Sequence, residues 1–322
     1  MKRIVVREPG GPEKMVLEDA PPPVAGPRDV VINVAAAGVN FIDVYFRTGQ
    51  YKAESPITLG SEAAGMVDHV GADVTEVAPG DRVAYAMVRG SYAGKALVPA
   101  AQVVKIPDAV SFDMAASLML QGTTAHYLTR STFPLERGQT CLIQAAAGGL
   151  GGLVIQMARL AGARTIGTVS TAAKAQEARD LGCDDVIIYT EQDFETEVLR
   201  LTDGRGVDVV YDSVGQSTFE KGLNVLRPRG MMVLLGQSSR PVAPIDPQVL
   251  NARGSVFLTR PTLAHYLASR EELLWRSGDV MEMAASGKIT VRISAKYPLA
   301  DAARAHRDLE GRRAIGKLLL IP

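Results

Sequence analysis

The fold is decided by Thr140-Cys141-Leu142-Ile143-Gln144-Ala145-Ala146-Ala147-Gly148-Gly149-Leu150-Gly151-Gly152. There an apolar run ends in a loop of small residues, and the helix-like stretch Leu153 to Ala161 follows at once. Residues without bulk at Ala146, Gly148 and Gly151 let the main chain approach a pyrophosphate at a helix N-terminus. The spacing is that of the dinucleotide fingerprint with alanine in place of the first glycine. It predicts a dinucleotide site, and the alternative is an ordinary glycine-rich turn between a strand and a helix.

Strand-like and helix-like stretches alternate after this loop. Strands are predicted at 164–169, 185–189, 207–211, 231–235 and 255–259, and helices at 172–181, 194–201 and 219–226. This alternation is typical of an α/β domain with a doubly wound parallel sheet. Ligands bind at the carboxyl ends of such strands. We therefore expect the glycine loop to share one crevice with Ser170, Tyr189, Asp212 to Gly215 and Gly236 to Ser239.

The residues after the second strand favour one dinucleotide. An acidic side chain usually accepts a hydrogen bond from a free adenosine ribose about 20 residues beyond the loop. Here that position holds Ser170 and Thr171, and no carboxylate lies between Thr165 and Gln176. The first nearby charge is Lys174. A hydroxyl, a helix N-terminus and a cation suit a 2′-phosphate, so we predict NADPH, with a solvated helix lysine as the alternative for Lys174.

Composition fits two domains in one chain. The sequence has 322 residues, 47% of them hydrophobic, which is longer than a single core usually grows. Lys+Arg and Asp+Glu are 35 each, so no basic field indicates nucleic acid. No apolar stretch approaches a membrane span, and the first residues lack the apolar core of a signal peptide. We expect a cytoplasmic protein without a membrane partner.

Cysteine and histidine usage argues against metal. Only Cys141 and Cys183 are present, which excludes a disulfide framework and makes a thiolate metal site improbable. The four histidines, His69, His126, His265 and His306, are scattered without metal-ligand spacing. No metal ligand is predicted.

The segment before the dinucleotide loop has a β-rich texture. Short runs at 30–36, 64–70, 82–86 and 96–98 are separated by turns, which predicts a twisted, mostly antiparallel barrel. The stretch Pro21 to Pro27 is read as an extended connection at a sheet edge. After a helical stretch at 262–285, mixed texture at 289–320 is expected to rejoin the first domain. The predicted domains are therefore 1–122, 123–264 and the returning segment 265–322.

Eight motifs follow one another in order along the chain: Asn40 to Tyr51, Leu59 to Gly65, Pro79 to Val83, Ala145 to Gly151, Lys174 to Gln176, Tyr211 to Gly215, Thr259 to Pro261 and Leu318 to Pro322. This ordered set resembles the zinc-free quinone oxidoreductases of the medium-chain dehydrogenase/reductase superfamily. The resemblance implies a Rossmann domain inserted into a GroES-like β-barrel catalytic domain. It also implies NADPH-dependent reduction of a quinone or related electrophile, and a homodimer.

The departures from the zinc-dependent branch of the superfamily are informative. Asn40 stands where those enzymes place a metal-binding cysteine, and Gly60-Ser61-Glu62 stands where they have Gly-His-Glu. The sequence therefore predicts that no catalytic zinc is assembled. Alcohol oxidation requires a lowered hydroxyl pKa, which metals provide, whereas a quinone is already electrophilic.

The resemblance implies three catalytic residues: Asn40, Tyr45 and Tyr51. Asn40 would contact the nicotinamide side of the cofactor, and the tyrosines would donate to the substrate oxygen or shape an aromatic slot. The alternative for each tyrosine is packing with a satisfied hydroxyl. Asp43 and Glu62 are predicted to orient neighbours.

Further cofactor contacts are implied by position in the family. They are Thr124, Gly148, Gly149, Leu150, Gly151, Ser170, Lys174, Tyr189, Ser213, Val214, Leu235, Gly236, Ser238, Leu258, Arg260 and Lys317. Lys317 is expected to reach the phosphates.

Two other functions stay open. One is reduction of an activated double bond, as in enoyl thioester or alkenal reductases, with Tyr51 protonating the α-carbon. The sequence shows no conspicuous basic residues around Asn40 to Tyr51, which argues against a coenzyme A partner. The other is an NADPH-binding protein with little turnover, as in lens crystallins derived from this family.

Overall fold

The computed structural model describes all 322 residues, and they form two compact units. Unit 1 is Met1–Thr123 together with Tyr266–Pro322, and unit 2 is Thr124–His265. Unit 2 begins and ends one residue later than the predicted nucleotide domain. The chain thus leaves the first unit once and returns to it.

The elements follow in chain order. The first part of unit 1 contains β1 (Lys2–Val6), β2 (Met15–Asp19), β3 (Asp29–Gly38), α1 (Phe41–Arg47), β4 (Ile57–Thr58), β5 (Glu62–Val70), β6 (Arg82–Ala86), β7 (Lys95–Pro99), β8 (Val104–Lys105), α2 (Phe112–Leu118) and α3 (Gln121–Tyr127), which crosses into unit 2. Unit 2 continues with β9 (Thr140–Ile143), α4 (Gly149–Ala161), β10 (Arg164–Val169), α5 (Ala172–Asp180), β11 (Asp185–Ile188), α6 (Phe194–Leu201), β12 (Val207–Asp212), α7 (Phe219–Asn224), β13 (Leu226–Leu234), α8 (Gln248–Ala252) and β14 (Phe257–Thr259). The chain then forms α9 (Leu263–Tyr266), α10 (Arg270–Ala285), β15 (Ile293–Pro298), α11 (Ala302–Glu310) and β16 (Lys317–Ile321). No helix among them combines the length and apolar character needed to cross a membrane.

Unit 1 is built on a mostly antiparallel sheet. Its strand order is β15-β16-β3-β5-β6-β8, with β7 also pairing with β3, and a small sheet β2-β1-β4 accompanies it. Strand β16 pairs antiparallel with β3, so that Leu319 faces Gly38 and Leu320 faces Ala37. This pairing returns the C-terminal strand to the first half of the unit. It also brings Lys317, the first residue of β16, near the start of α1.

The start of helix α1 is fixed by a hydrogen bond between the Asp43 carboxylate and the backbone N–H of Asn40. Asp43, three residues into the turn, accepts the backbone N–H of Asn40 at 3.2 Å. This is half of a capping box, and it satisfies one of the donors that a helix N-terminus leaves unpaired. The sequence Asn40 to Asp43 therefore sets the position of the helix start.

Unit 2 contains one parallel sheet in the order β11-β10-β9-β12-β13-β14. The order reverses between β9 and its neighbours β10 and β12, which is the switch point where ligands bind in such folds. Leu142, Ile166, Val210 and Met232 are fully buried in its core. The predicted α/β fold class is confirmed.

Three differences from the sequence prediction are large, whereas several other element ends shift by only one or two residues. Helix α4 starts at Gly149 and not at Leu153, and β13 starts at Leu226 and not at Met231. The helical stretch at 262–285 is two helices, α9 and α10. Glycine has poor helix propensity, and Pro228 and Gly230 are depleted in strands, so local preference placed both starts too late. Ser269 caps α10 by accepting the N–H of Glu272, and this fixes the break.

Candidate functional site

The glycine loop of unit 2 forms an anion cradle. Gly148 precedes the first turn of α4, and Ala145 adopts a left-handed backbone with φ of 55°. A Cβ at Gly151 would lie 2.5 Å from the carbonyl oxygen of Ala145, so only glycine allows this close approach. The first N–H groups of a helix have no acceptor within it. At Gly149 to Gly151 they therefore provide a binding site for a pyrophosphate.

The ends of β10 and β11 come together beside this loop. The Thr190 hydroxyl donates to the carbonyl oxygen of Ser170 at 3.0 Å, which joins the two strand ends. Tyr189 follows β11 and has 39% of its surface exposed. Thr171 caps α5 by accepting the N–H of Lys174 at 3.3 Å. Lys174 thus lies in the first turn of a helix whose N-terminus favours anions.

A buried carboxylate shapes the loop after β12, and backbone hydrogen bonds join this loop to the one after β13. Asp212 accepts the N–H of Val214 at 2.7 Å, and burial raises the pKa of Asp212. The N–H of Ser238 donates to the carbonyl oxygen of Ser213 at 3.3 Å. A Cβ at Gly236 would lie 2.4 Å from that same oxygen. The structure therefore brings together predicted cofactor residues from both loops.

The remaining predicted residues of unit 2 are less closely grouped. Leu235 follows β13 and donates its N–H to the Asp212 carbonyl at 2.8 Å. Leu258 lies within β14 and Arg260 just beyond it. Thr124 is a buried residue of α3. Their cofactor contacts stay predictions.

A buried polar cluster in unit 1 surrounds Asn40. The Lys317 ammonium lies 2.6 Å from Glu62 and donates to Asn40 Oδ1 at 2.8 Å, and neither charged side chain has any exposed surface. Gln121 Nε2 donates to the same oxygen at 3.2 Å. Asn40 Nδ2 donates to Glu62 at 2.9 Å and to the Gly38 carbonyl at 3.3 Å. Both lone pairs and both hydrogens of the Asn40 amide are therefore used.

This cluster bears on two predictions. Lys317 was expected to reach cofactor phosphates, whereas its ammonium is fully buried against Glu62. Asn40 was expected to act in catalysis, but its amide has no unused hydrogen and can donate to a ligand only by giving up a present partner. Sequence analysis missed Gln121, since no local pattern connects it to Asn40, 81 residues earlier.

Asp43 is a second buried group beside Asn40. It accepts the Ser61 hydroxyl at 2.7 Å and the Tyr92 hydroxyl at 3.2 Å. Burial raises the pKa of Asp43 to about 6, although these hydrogen bonds oppose the shift. Asp43 therefore orients its neighbours, as predicted from the sequence.

The hydrogen bonds continue from Tyr92 to α11. Arg47 Nη1 lies 3.0 Å from His306 Nδ1, and since a guanidinium can only donate, Nδ1 accepts. His306 Nε2 then carries the proton and donates to the Tyr92 hydroxyl at 3.1 Å. Burial, and then the charge of Arg47, lower the pKa of His306 to about 3. Arg47 also makes a two-pronged ion pair with Glu310 at 2.7 and 2.9 Å.

Helix α1 and its exit turn present an aromatic cluster, defined as Phe41, Tyr45, Phe46 and Tyr51. Tyr51 packs edge-on against Tyr45 at 5.2 Å and against Phe46 at 5.6 Å between ring centroids. Tyr45 is 7% exposed, whereas Tyr51 is half-buried. The guanidinium of Arg89 lies 4.9 Å from the Phe46 ring centroid. The tertiary structure thus places a further basic residue, from a distant loop, beside a segment that already contains Arg47.

The side chains at the positions of zinc ligands are an amide and a hydroxyl. Asn40 and Ser61 are engaged with Glu62 and Asp43, respectively. Amide and hydroxyl groups are not the thiolate and imidazole ligands that zinc prefers, so these residues do not fit a catalytic zinc site. No group of three or more His, Cys, Asp or Glu side chains in the structure is arranged to hold a metal ion.

Two family profiles match the chain. Residues 26–108 match the profile described as the alcohol dehydrogenase GroES-like domain. Residues 149–271 match the profile described as zinc-binding dehydrogenase. The first match lies within unit 1, and the second lies mainly within unit 2.

Individual relatives match over nearly the full length. A quinone oxidoreductase of Pseudomonas aeruginosa is 42% identical over 100% of this chain and 99% of its own. A 2-haloacrylate reductase of a Burkholderia species is 41% identical over 99% of this chain and 98% of its own. A mycobacterial protein solved with NADPH superposes with a TM-score of 0.98 at 46% identity, with all of both chains covered.

Proposed function

Because this chain belongs to the quinone oxidoreductase family of the medium-chain dehydrogenase/reductase superfamily, we propose that it reduces quinones with NADPH. The observation that carries this proposal is the cradle at Gly149 to Gly151, followed by Lys174 on an anion-binding helix turn. No carboxylate lies between Thr165 and Gln176 in the sequence. The bound cofactor supplies a hydride, and the protein holds it and the acceptor in place.

The proposed cofactor contacts in unit 2 have distinct tasks. The first turn of α4 binds the pyrophosphate, while Ser170 and Lys174 bind the 2′-phosphate and Tyr189 covers the adenine. The strand-end loops carry the remaining contacts, namely Ser213, Val214, Leu235, Gly236, Ser238, Leu258 and Arg260. Thr124 completes this set.

In unit 1, we propose that Asn40 contacts the nicotinamide ribose. Such a contact would replace its longest hydrogen bond, the one to Gly38 at 3.3 Å. Lys317 and Glu62 act through Asn40 by holding its amide in one orientation. Zinc takes no part in this proposal, since Asn40 and Ser61 are committed to neighbouring carboxylates.

Tyr51 is the proposed donor to the acceptor oxygen. It is half-buried, whereas Tyr45 is 7% exposed and packs beneath it. A donor aimed at a developing oxyanion contributes about 3 to 4 kcal/mol, so Tyr51→Phe should lower kcat by about 100-fold or more. Tyr45→Phe is the matched control and should change kcat by less than about fivefold. Equal effects of the two variants would contradict the assignment.

A second acceptor class is an activated carbon–carbon double bond. The observation that favours it is the 41% identity to a 2-haloacrylate reductase, which is similar to that of the quinone oxidoreductases. Quinones and acrylates share an electrophilic carbon conjugated to a carbonyl, so one hydride donor serves both.

One set of assays tests the function. Purified protein, dialysed against a chelator, is assayed with NADPH and with NADH against 1,4-benzoquinone, a 2-alkenal and crotonyl thioester. We expect turnover of benzoquinone, a preference for NADPH, and no loss of activity after chelation. Turnover with the thioester alone would overturn the proposal. NADPH binding without turnover of any acceptor would favour a crystallin-like role.

We also propose a homodimer. Strand β14 is an edge strand that pairs only with β13, and Phe257 at its start is 56% exposed. An exposed edge of this kind is a template for pairing with a second chain.

A further inference from the structure

We propose that Arg89 selects acceptors carrying a carboxylate next to their electrophilic double bond. The inference rests on the proposed function and names a substrate class for it. Its basis is a cation that the tertiary structure places against the aromatic cluster.

The environment of Arg89 leaves its charge open to a ligand. Its guanidinium lies over the Phe46 ring, 4.9 Å from the centroid, and that ring packs edge-on against Tyr51. The residue is exposed and makes no ion pair with any carboxylate of the chain. Arg47, by contrast, is buried and already paired with Glu310 and His306. Arg89 is therefore the arginine of this surface that can accept a new anionic partner.

The loop that carries Arg89 is fixed at both ends. The N–H of Met87 donates to Ser61 and the N–H of Gly90 donates to Gly60, each at 2.8 Å. Both residues have positive φ, 67° at Met87 and 105° at Gly90, so the chain turns sharply on either side of Arg89. These anchors hold the arginine near Ser61, which hydrogen-bonds to Asp43 of α1. Such preorganisation lowers the entropic cost of binding a ligand.

The chemistry of the guanidinium explains the choice of ligand. A guanidinium held over an aromatic ring keeps N–H groups that can match a carboxylate with two parallel hydrogen bonds. Lys52, exposed and adjacent to Tyr51 in the chain, adds positive charge, while Glu54 lies two residues further on. A flat acceptor resting on Tyr51 would meet Arg89 with its carboxylate.

The reaction of such an acceptor balances with the proposed cofactor. The β-carbon of an acrylate takes the hydride that NADPH supplies, the carbon–carbon π bond breaks, and the α-carbon takes a proton from a protein donor or water. The products are the saturated carboxylate and NADP⁺. Negative charge moves onto the carboxylate during hydride addition, where a guanidinium stabilises it.

The test compares two acceptors of the same shape, 2-chloroacrylate and 2-chloroacrylamide, with NADPH. We measure the ratio of their kcat/KM values in the wild type, Arg89→Met and Arg28→Met. Arg28, an exposed arginine on the turn before β3, is the control for loss of one positive charge. We expect the ratio to fall about tenfold in Arg89→Met, the size expected for a hydrogen bond to a charged group, and to stay within twofold in Arg28→Met. Arg89→Gln should show the same fall, and it serves as the test if the methionine variant does not fold.

Two results would overturn the inference. One is an unchanged ratio in both Arg89 variants, and the other is a wild type that reduces benzoquinone but not 2-chloroacrylate. Added NaCl should shrink the wild-type preference, since salt screens an exposed charge. A wild type that reduces no quinone with NADPH would instead refute the proposed function, so the two failures are distinguishable.

Discussion

In unit 1, a few buried side chains determine the orientation of neighbouring amide groups. Lys317 can only donate and Glu62 can only accept, and together they fix which end of the Asn40 amide faces which neighbour. Gln121 then has to turn its amino group toward Asn40. One ion pair therefore determines the orientation of two amides.

The cost of breaking this ion pair is a prediction at the residue scale. Lys317→Met leaves the Glu62 charge buried without its partner, so the free energy of unfolding should fall by about 3 to 5 kcal/mol. Urea denaturation measures it. The double variant Lys317→Met with Glu62→Gln should recover part of the loss, because the unpaired charge is removed.

The matched control for that experiment is an exposed ion pair. Lys2 and Asp19 have side chains 58% and 77% exposed, so Lys2→Met should cost far less stability than Lys317→Met. If Lys2→Met and Lys317→Met lowered the free energy of unfolding equally, the prediction that the buried ion pair stabilises the protein more than the exposed one would be wrong.

Lys174 carries the second residue-scale prediction, on cofactor choice. If it contacts the 2′-phosphate, Lys174→Ala should raise KM for NADPH about tenfold and leave KM for NADH nearly unchanged, because only NADPH has that phosphate. Lys221, an exposed lysine of α7, is a control in the same unit. A similar rise in KM for both cofactors would refute the assignment.

At the scale of elements, α1 and α11 are joined by buried groups that respond oppositely to pH. The pKa of Asp43 is raised from 3.8 to about 6, so its stabilising contribution is complete below pH 3.8 and is lost as pH rises through 6. The pKa of His306 is lowered from 6.5 to about 3, so its contribution is complete above pH 6.5 and is lost as pH falls. Between pH 4 and 6 the two effects oppose each other.

Replacing either side chain should expose the pH dependence of stability that the other one contributes. In His306→Gln, the free energy of unfolding relative to that of the wild type should fall as pH rises from 4 to 6, by up to about 1.4 kcal/mol for each pH unit. In Asp43→Asn, the same difference should rise with a similar slope as pH rises. Denaturant titrations at four pH values measure both, and curves parallel to the wild type would show that these groups do not titrate as stated.

At the scale of the whole molecule, the prediction concerns assembly through β14. Light scattering should give twice the mass of one chain. Phe257→Glu places a charge on the open edge and should shift the mass toward one chain, since charged side chains block edge pairing. Val24→Glu, at a side chain 85% exposed in the proline-rich connection, is the control. A wild type that stays monomeric at every concentration would end the dimer proposal.

The sequence by itself determined the α/β fold class and the family. Local preferences placed β6, β10 and α6 at their observed residues, and the small residues from Ala145 to Gly151 marked the cradle. The resemblance to quinone oxidoreductases is confirmed by relatives 42% identical over nearly the whole chain. Such features depend on residues that are close in sequence, or on motifs read in order.

Only the tertiary structure decided which distant side chains meet. Lys317 is 255 residues from Glu62, and Arg47 is 259 residues from His306. Arg89 lies over Phe46 because backbone hydrogen bonds fix the chain on either side of it, at Met87 and Gly90. Burial makes an unpaired charge costly, so each buried ion finds its partner wherever strand pairing brings one, and sequence distance carries no information about that choice. For this reason the sequence located the cradle, while the folded chain assigned Lys317 to Glu62 instead of to a phosphate.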